Sequence, residues 1–170
     1  MPSIAAAMSL DKAAGFGHYA RVSWAFDEVP SLVDQLGAEE VGRLYAVRTR
    51  EELDDLRAGR VHTTYEEDND PLGWIDDAVA FNDDLDPEVR LRMVIAAINE
   101  ADDDDVLWCI GDQPVAHLAA VRGFALRLHQ ARTTNPKVER LFRLMQDYYR
   151  NVEKSPDAGW WDDGGHSRVE

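Results

Sequence analysis

The sequence predicts a mainly α-helical fold, an antiparallel helical bundle or a short stack of helical hairpins, with room for a small β element in the first 60 residues. Three observations carry this. Apolar residues recur at helical spacing across residues 74–152, as in Leu91, Val94, Ile95 and Ile98. Helix-start signatures, Asp86-Pro87 and Asn135-Pro136, precede two of these stretches. The connections between them are short, which favours antiparallel neighbours. With 170 residues, 45% of them apolar, the length suits one domain. Such a chain buries roughly 68–70% of its unfolded surface, so it needs no disulfide or metal to fold. The domain is expected over 1–152, with 71–152 as its helical core and 153–170 as a flexible tail.

The first 61 residues are read as follows. Arg21-Val22-Ser23-Trp24 has the aromatic and β-branched character of a strand. Pro30-Ser31 leads Leu32, Val33 and Leu36 into a short helix closed by Gly37. Ala38 to Ala46 reads as helix, with Val41, Leu44 and Tyr45 on one side. Thr49-Arg50-Glu51-Glu52 has the form of a capping box, starting another helix through Leu53 and Leu56 to Gly59. Leu44 to Arg48 reads alternatively as a strand feeding that helix.

From residue 71 the pattern is plainer. Pro71-Leu72-Gly73 opens a helix bearing Trp74, Ile75, Ala78, Val79 and Phe81. Asn82 to Asp86 is a turn, and the next helix runs from Pro87 to about Ala101. Asp102-Asp103-Asp104-Asp105 then starts a short helix over Val106 to Ile110, with Gly111 as its terminator; a buried strand is the alternative for so short an apolar run. Asp112 and Pro114 open a long helix to about Ala131, with Gly123 inside it at a cost of about 1 kcal/mol relative to Ala. The last helix, about 136–152, carries Val138, Leu141, Phe142, Met145, Tyr149 and Val152 on one stripe. In the tail, Trp160-Trp161 reads first as a pair folded back on the helices, and second as an aromatic anchor for a partner.

Charge is the second organising feature. The chain has 33 Asp and Glu against 18 Lys and Arg, a net of −15. Residues 62–112 hold 16 of the acids against only Arg90 and Arg92, a local net of −14. Residues 113–150 hold 7 bases against Glu139 and Asp147, a net of +5. The acids form three clusters: Glu66, Glu67, Asp68 and Asp70; Asp83, Asp84 and Asp86 with Glu88; and Asp102, Asp103, Asp104 and Asp105. Each precedes a helix, where a carboxylate gains roughly 0.3–1 kcal/mol from the macrodipole. One per helix suffices for that, so the excess marks either a solvated surface or a recognition surface. This balance argues against binding nucleic-acid phosphates or an anionic membrane, both of which need clustered Lys and Arg. Arg122, Arg127, Arg132, Lys137, Arg140, Arg143 and Arg150 read as solvated helix faces that partly neutralise the acidic clusters, ahead of a phosphate-binding patch.

Candidates for chemistry are weak. Gly15-Phe16-Gly17-His18-Tyr19-Ala20 matches the dinucleotide-binding string but follows a helical stretch rather than a strand. Asp68-Asn69-Asp70 imitates a calcium loop whose later positions, Leu72 and Val79, lack oxygen ligands. The His residues at 18, 62, 117, 129 and 166 form no metal array, and His117 and His129 would lie about 18 Å apart on one helix. There is no G-x-S-x-G. Cys109 sits in an apolar run as an inert small hydrophobe, and a lone Cys fits a reducing, cytoplasmic setting. No secretory leader and no membrane span is expected. No catalytic residue, cofactor or metal ligand is assigned.

Residues 74–150 resemble a group of uncharacterised bacterial helical domains of unknown function. The resemblance rests on Trp74, Pro87-Glu88, Arg90, Ile95, Ile98, Asp103 to Leu107, Ile110-Gly111, Pro114-Val115, Ala131 and Asn135 to Val138. The chain departs from the group over 111–115. What the resemblance implies is a helical fold; it brings no functional residues.

The sequence therefore points to a non-enzymatic acidic protein that binds a basic protein partner. Its most concrete form is an immunity-type inhibitor of a cationic bacterial toxin. The expected partner-binding residues are the acids of the three clusters. The alternatives are a metal-dependent enzyme using carboxylates within 66–105, and a scaffold that self-associates through Trp160-Trp161.

Overall fold

A computed structural model describes residues 26–60, 72–81, 84–119 and 123–153. The strand expected at Arg21 to Trp24, the Gly15–Ala20 string, the Glu66–Asp70 cluster, Asp83 and the Trp160-Trp161 pair lie outside the described residues.

The described chain is mainly helical, as its periodicity predicts, and shows no strand. Helix α1, Val29–Leu36, has Pro30 in its first turn and buries Val29 and Val33. Gly37, at φ +93°, ends it and donates its N–H to the Val33 carbonyl. That φ favours glycine, so the chain can turn there and restart at once. Helix α2, Ala38–Arg57, is the longest described element, about 30 Å at the usual rise.

Two expectations fail on α2. Leu44 to Arg48 is not a strand, and Thr49 does not start a helix. Ala38, Val41, Tyr45, Thr49 and Leu53 fall three or four residues apart, so one buried stripe runs through both segments. The Thr49 hydroxyl donates to the Tyr45 carbonyl within the helix, at 2.9 Å, instead of capping a new one.

Helix α3, Trp74–Asp76, runs into a π-turn, Asp77–Phe81. Trp74, Ile75, Ala78, Val79 and Ala80 are buried, while Phe81 is 47% exposed. Helix α4, Pro87–Glu100, starts as expected: the Asp86 carboxylate accepts the Glu88 N–H at 2.7 Å and Pro87 occupies the first turn. Helix α5, Asp104–Ile110, confirms the helical reading of that run, with Asp103 as its cap.

Helix α5 ends before Gly111, as expected, but Gly111 is not a left-handed cap. Its φ is −67°, and the chain continues through a π-turn, Gly111–Val115, into helix α6, Ala116–Ala119. Pro114 lies inside the π-turn, where it has no N–H to give the ladder. Gly111 is needed for another reason. A Cβ there would stand 2.5 Å from the Met145 sulfur.

The long helix expected over 112–131 is broken. Gly123 adopts φ +85°, a left-handed conformation, and helix α7, Phe124–Ala131, begins after it. Phe124 and Leu128 are buried, so the new direction serves packing. Asn135 caps helix α8, Pro136–Tyr148, accepting N–H groups from Lys137 and Val138. Val138, Leu141, Phe142 and Met145 form its buried stripe, and a π-turn, Tyr149–Glu153, extends it.

Residues from Val29 to Met145 share one apolar cluster. Helices α2 and α4 lie along one another at its centre, although a long crossover separates them in sequence. Glu39 meets Arg92, and Arg50 reaches the Glu100 carbonyl, so the two helices run in the same direction. The crossing is close: a Cβ at Gly42 would fall 2.0 Å from the Met93 carbonyl oxygen. Among the described residues, no helix is long and apolar enough to cross a membrane.

Candidate functional site

The described residues of the acidic clusters lie at two corners, where α3 meets α4 and where α4 meets α5. At the first, Asp84 and Asp86 are exposed. Asp86 is committed to its cap, and Glu88 pairs with Arg127 of α7. Leu85, between the two aspartates, is buried and anchors the turn.

The second corner is built from more of the chain. Helix α4 ends with carbonyls directed at cations: Lys137 Nζ donates to the Asn99 and Ala101 oxygens, at 2.5 and 2.7 Å, and Arg50 Nη2 to the Glu100 oxygen at 3.4 Å. Positive groups belong there, at the negative end of the helix. The Asp run follows at the positive end of α5. Asp103 accepts the Val106 N–H at 2.9 Å. The other three turn to different arginines. Asp102 pairs with Arg50 of α2 at 2.7 Å, Asp104 with Arg140 of α8 at 2.6 Å, and Asp105 with Arg57 of α2.

Four consecutive carboxylates are thus tolerated because one is a cap and three project to separate cations. Capping alone does not explain this run, and neither does a bare acidic surface. The carboxylates also stay wet: Asp102, Asp104 and Asp105 are 64%, 50% and 65% exposed. Hydrogen bonds to the carboxylates of Asp105, then Asp54, hold the pKa of the Arg57 guanidinium above its ordinary value.

Arg140 is among the bases that the sequence reads as neutralising the acidic clusters, and it does so here; Arg50 and Arg57 are the residues of this corner that the sequence did not mark. Arg50 and Arg57 are seven apart on α2, two turns along one face, and so meet Asp102 and Asp105, three apart across the corner. The spacing is visible in the sequence. The parallel pairing of α2 with α4 that brings it opposite the Asp run is not.

A second polar group lies deeper. Arg48 Nη2 meets Asp76 Oδ2 at 2.8 Å, joining α2 to α3, with Arg48 only 8% exposed. Tyr45, one turn away, is buried, and its hydroxyl meets Gln113 Oε1 at 3.5 Å. Burial, then the charge of Asp76, pushes the Tyr45 pKa far up, so the hydroxyl stays protonated. Burial, then Asp112, pushes the Cys109 thiol up to about 11, so it remains a thiol at neutral pH and a poor nucleophile. His117 and His129 fall on different helices. His117 meets the Phe81 ring edge-on, and His129 contacts Arg132 and Phe142. Among the described residues no group of three or more His, Cys, Asp or Glu is placed to hold a metal.

Of the bases in 113–150, Arg127 and Arg140 neutralise acidic-cluster residues, while Arg132 and Arg143 share Glu139 at 2.7 and 2.9 Å. No protein-family model, curated protein or solved structure matches this chain. None of these comparisons supports the expected resemblance of residues 74–150 to uncharacterised helical domains.

Proposed function

We propose that this chain is a non-enzymatic acidic protein that binds a basic protein partner, most concretely as an immunity-type inhibitor of a cationic bacterial toxin. The observation that carries the reading is the placement of charge. Sixteen acids face two bases within 62–112, while the rest of the chain is close to neutral. A field of that kind steers a cationic partner and raises its association rate by roughly 10- to 1,000-fold at low salt.

The exposure of the paired carboxylates supports the same reading. A solvent-exposed ion pair contributes only about 0–1 kcal/mol. A partner's arginines and lysines therefore replace Arg50, Arg57 and Arg140 at small cost to the fold. An inhibitor of this type would occupy the surface that a nuclease toxin uses for phosphates.

The test has two stages. The protein is used as bait in native lysate at low salt, bound material is eluted by raising salt, and the eluate is identified by mass spectrometry. The association rate of the captured partner is then measured from low to high salt. The reading expects a rate that falls steeply, and inhibition of the partner's own activity at one-to-one stoichiometry. A salt-independent rate overturns the acidic-surface reading. A steep rate without inhibition overturns the inhibitor form of it.

A further inference from the structure

No further inference is drawn: the strongest candidate, the edge-to-face aromatic run of Trp108, Tyr148 and Tyr149 where α5 flanks the C-terminal end of α8, carries nothing because nothing among the described residues shows what covers it.

Discussion

Asp86 and Asp103 do the same work at two helix starts, yet the carboxylates around them are wired differently. At the α3–α4 corner, Asp86 caps and Glu88 reaches one other helix, α7. At the α4–α5 corner, Asp103 caps, and its three neighbours reach arginines on two other helices, α2 and α8. Both corners read alike in composition. The second corner ties together helices far apart in sequence, so it depends on the tertiary fold as the cap at the first does not. An acidic run can therefore be paired within the fold and still present charge to solvent.

The largest expected effect breaks the comparison at its base. Gly42→Ala puts a methyl group 2.0 Å from the Met93 carbonyl, which is backbone and has no rotamer to escape into. Helices α2 and α4 must separate, and Arg50 and Arg57 move off the second corner with α2. The expected loss is about 3 kcal/mol, at the upper end for overpacking. Urea denaturation checks it. A loss below about 0.5 kcal/mol, within the range of ordinary surface substitutions, would mean that the crossing is looser than described.

The caps come next. Asp86→Ala and Asp103→Ala each remove one carboxylate bond to an orphan N–H, and each is expected to cost about 1 kcal/mol. Equal losses would show that the local role is the same at both corners. A much larger loss for Asp103 would mean that its cap also sets the geometry of the three pairs beside it.

What was legible in the sequence divides along the same line. Asp86-Pro87, Asn135-Pro136 and the α8 stripe were readable because a cap and its N–H lie within three residues, and a stripe needs only its own period. The boundaries that failed depended on distant partners. Thr49 looks like a cap until the buried face of α2 is seen to continue past it. Gly111 looks like a left-handed cap, but its φ of −67° carries the chain on into a π-turn. Gly123 reads as a costly helix residue, but its left-handed φ instead turns the chain so that Phe124 and Leu128 reach the core. The acidic candidates Asp84, Asp86 and Asp102 to Asp105 were found from composition. Of their counter-charges, Arg140 reads from the sequence as a neutralising base, while Arg50 and Arg57 do not, because they come from 48 to 52 residues away.

A smaller effect appears in acid. The hydrogen bond from Arg132, with a further one from Arg143, holds the Glu139 carboxyl below its ordinary value of 4.5. A lowered folded-state pKa means that the unfolded chain binds the proton more readily. The stability it contributes is therefore present above about pH 4.5 and fades as pH falls through the lower folded value. Glu139→Gln is expected to flatten the stability profile below pH 4.5 and leave its shape above that pH unchanged. Thermal denaturation from pH 3 to 7 reads this out. A parallel downward shift at every pH would mean that Glu139 acts by packing alone.

The smallest stability effect per residue carries the most information about function. Arg50→Gln, Arg57→Gln and Arg140→Gln together remove the three cations of the second corner, each from a solvent-exposed pair of the kind that contributes little to stability. The stability loss should be modest and should shrink further in high salt. Binding should move the opposite way, because the freed Asp102, Asp104 and Asp105 no longer need to exchange one cation for another. Removing positive charge anywhere strengthens a cationic partner's attraction, so the control must change the net charge equally elsewhere. Arg43→Gln, Arg92→Gln and Arg143→Gln does this, since their partners Glu40, Glu39 and Glu139 are not among the corner's aspartates. If the corner contacts the partner, the first triple variant slows dissociation relative to the control. If both variants change only the association rate, and by the same factor, the corner fastens the fold and contributes only to the long-range field. Contact would then have to come from the other acidic clusters.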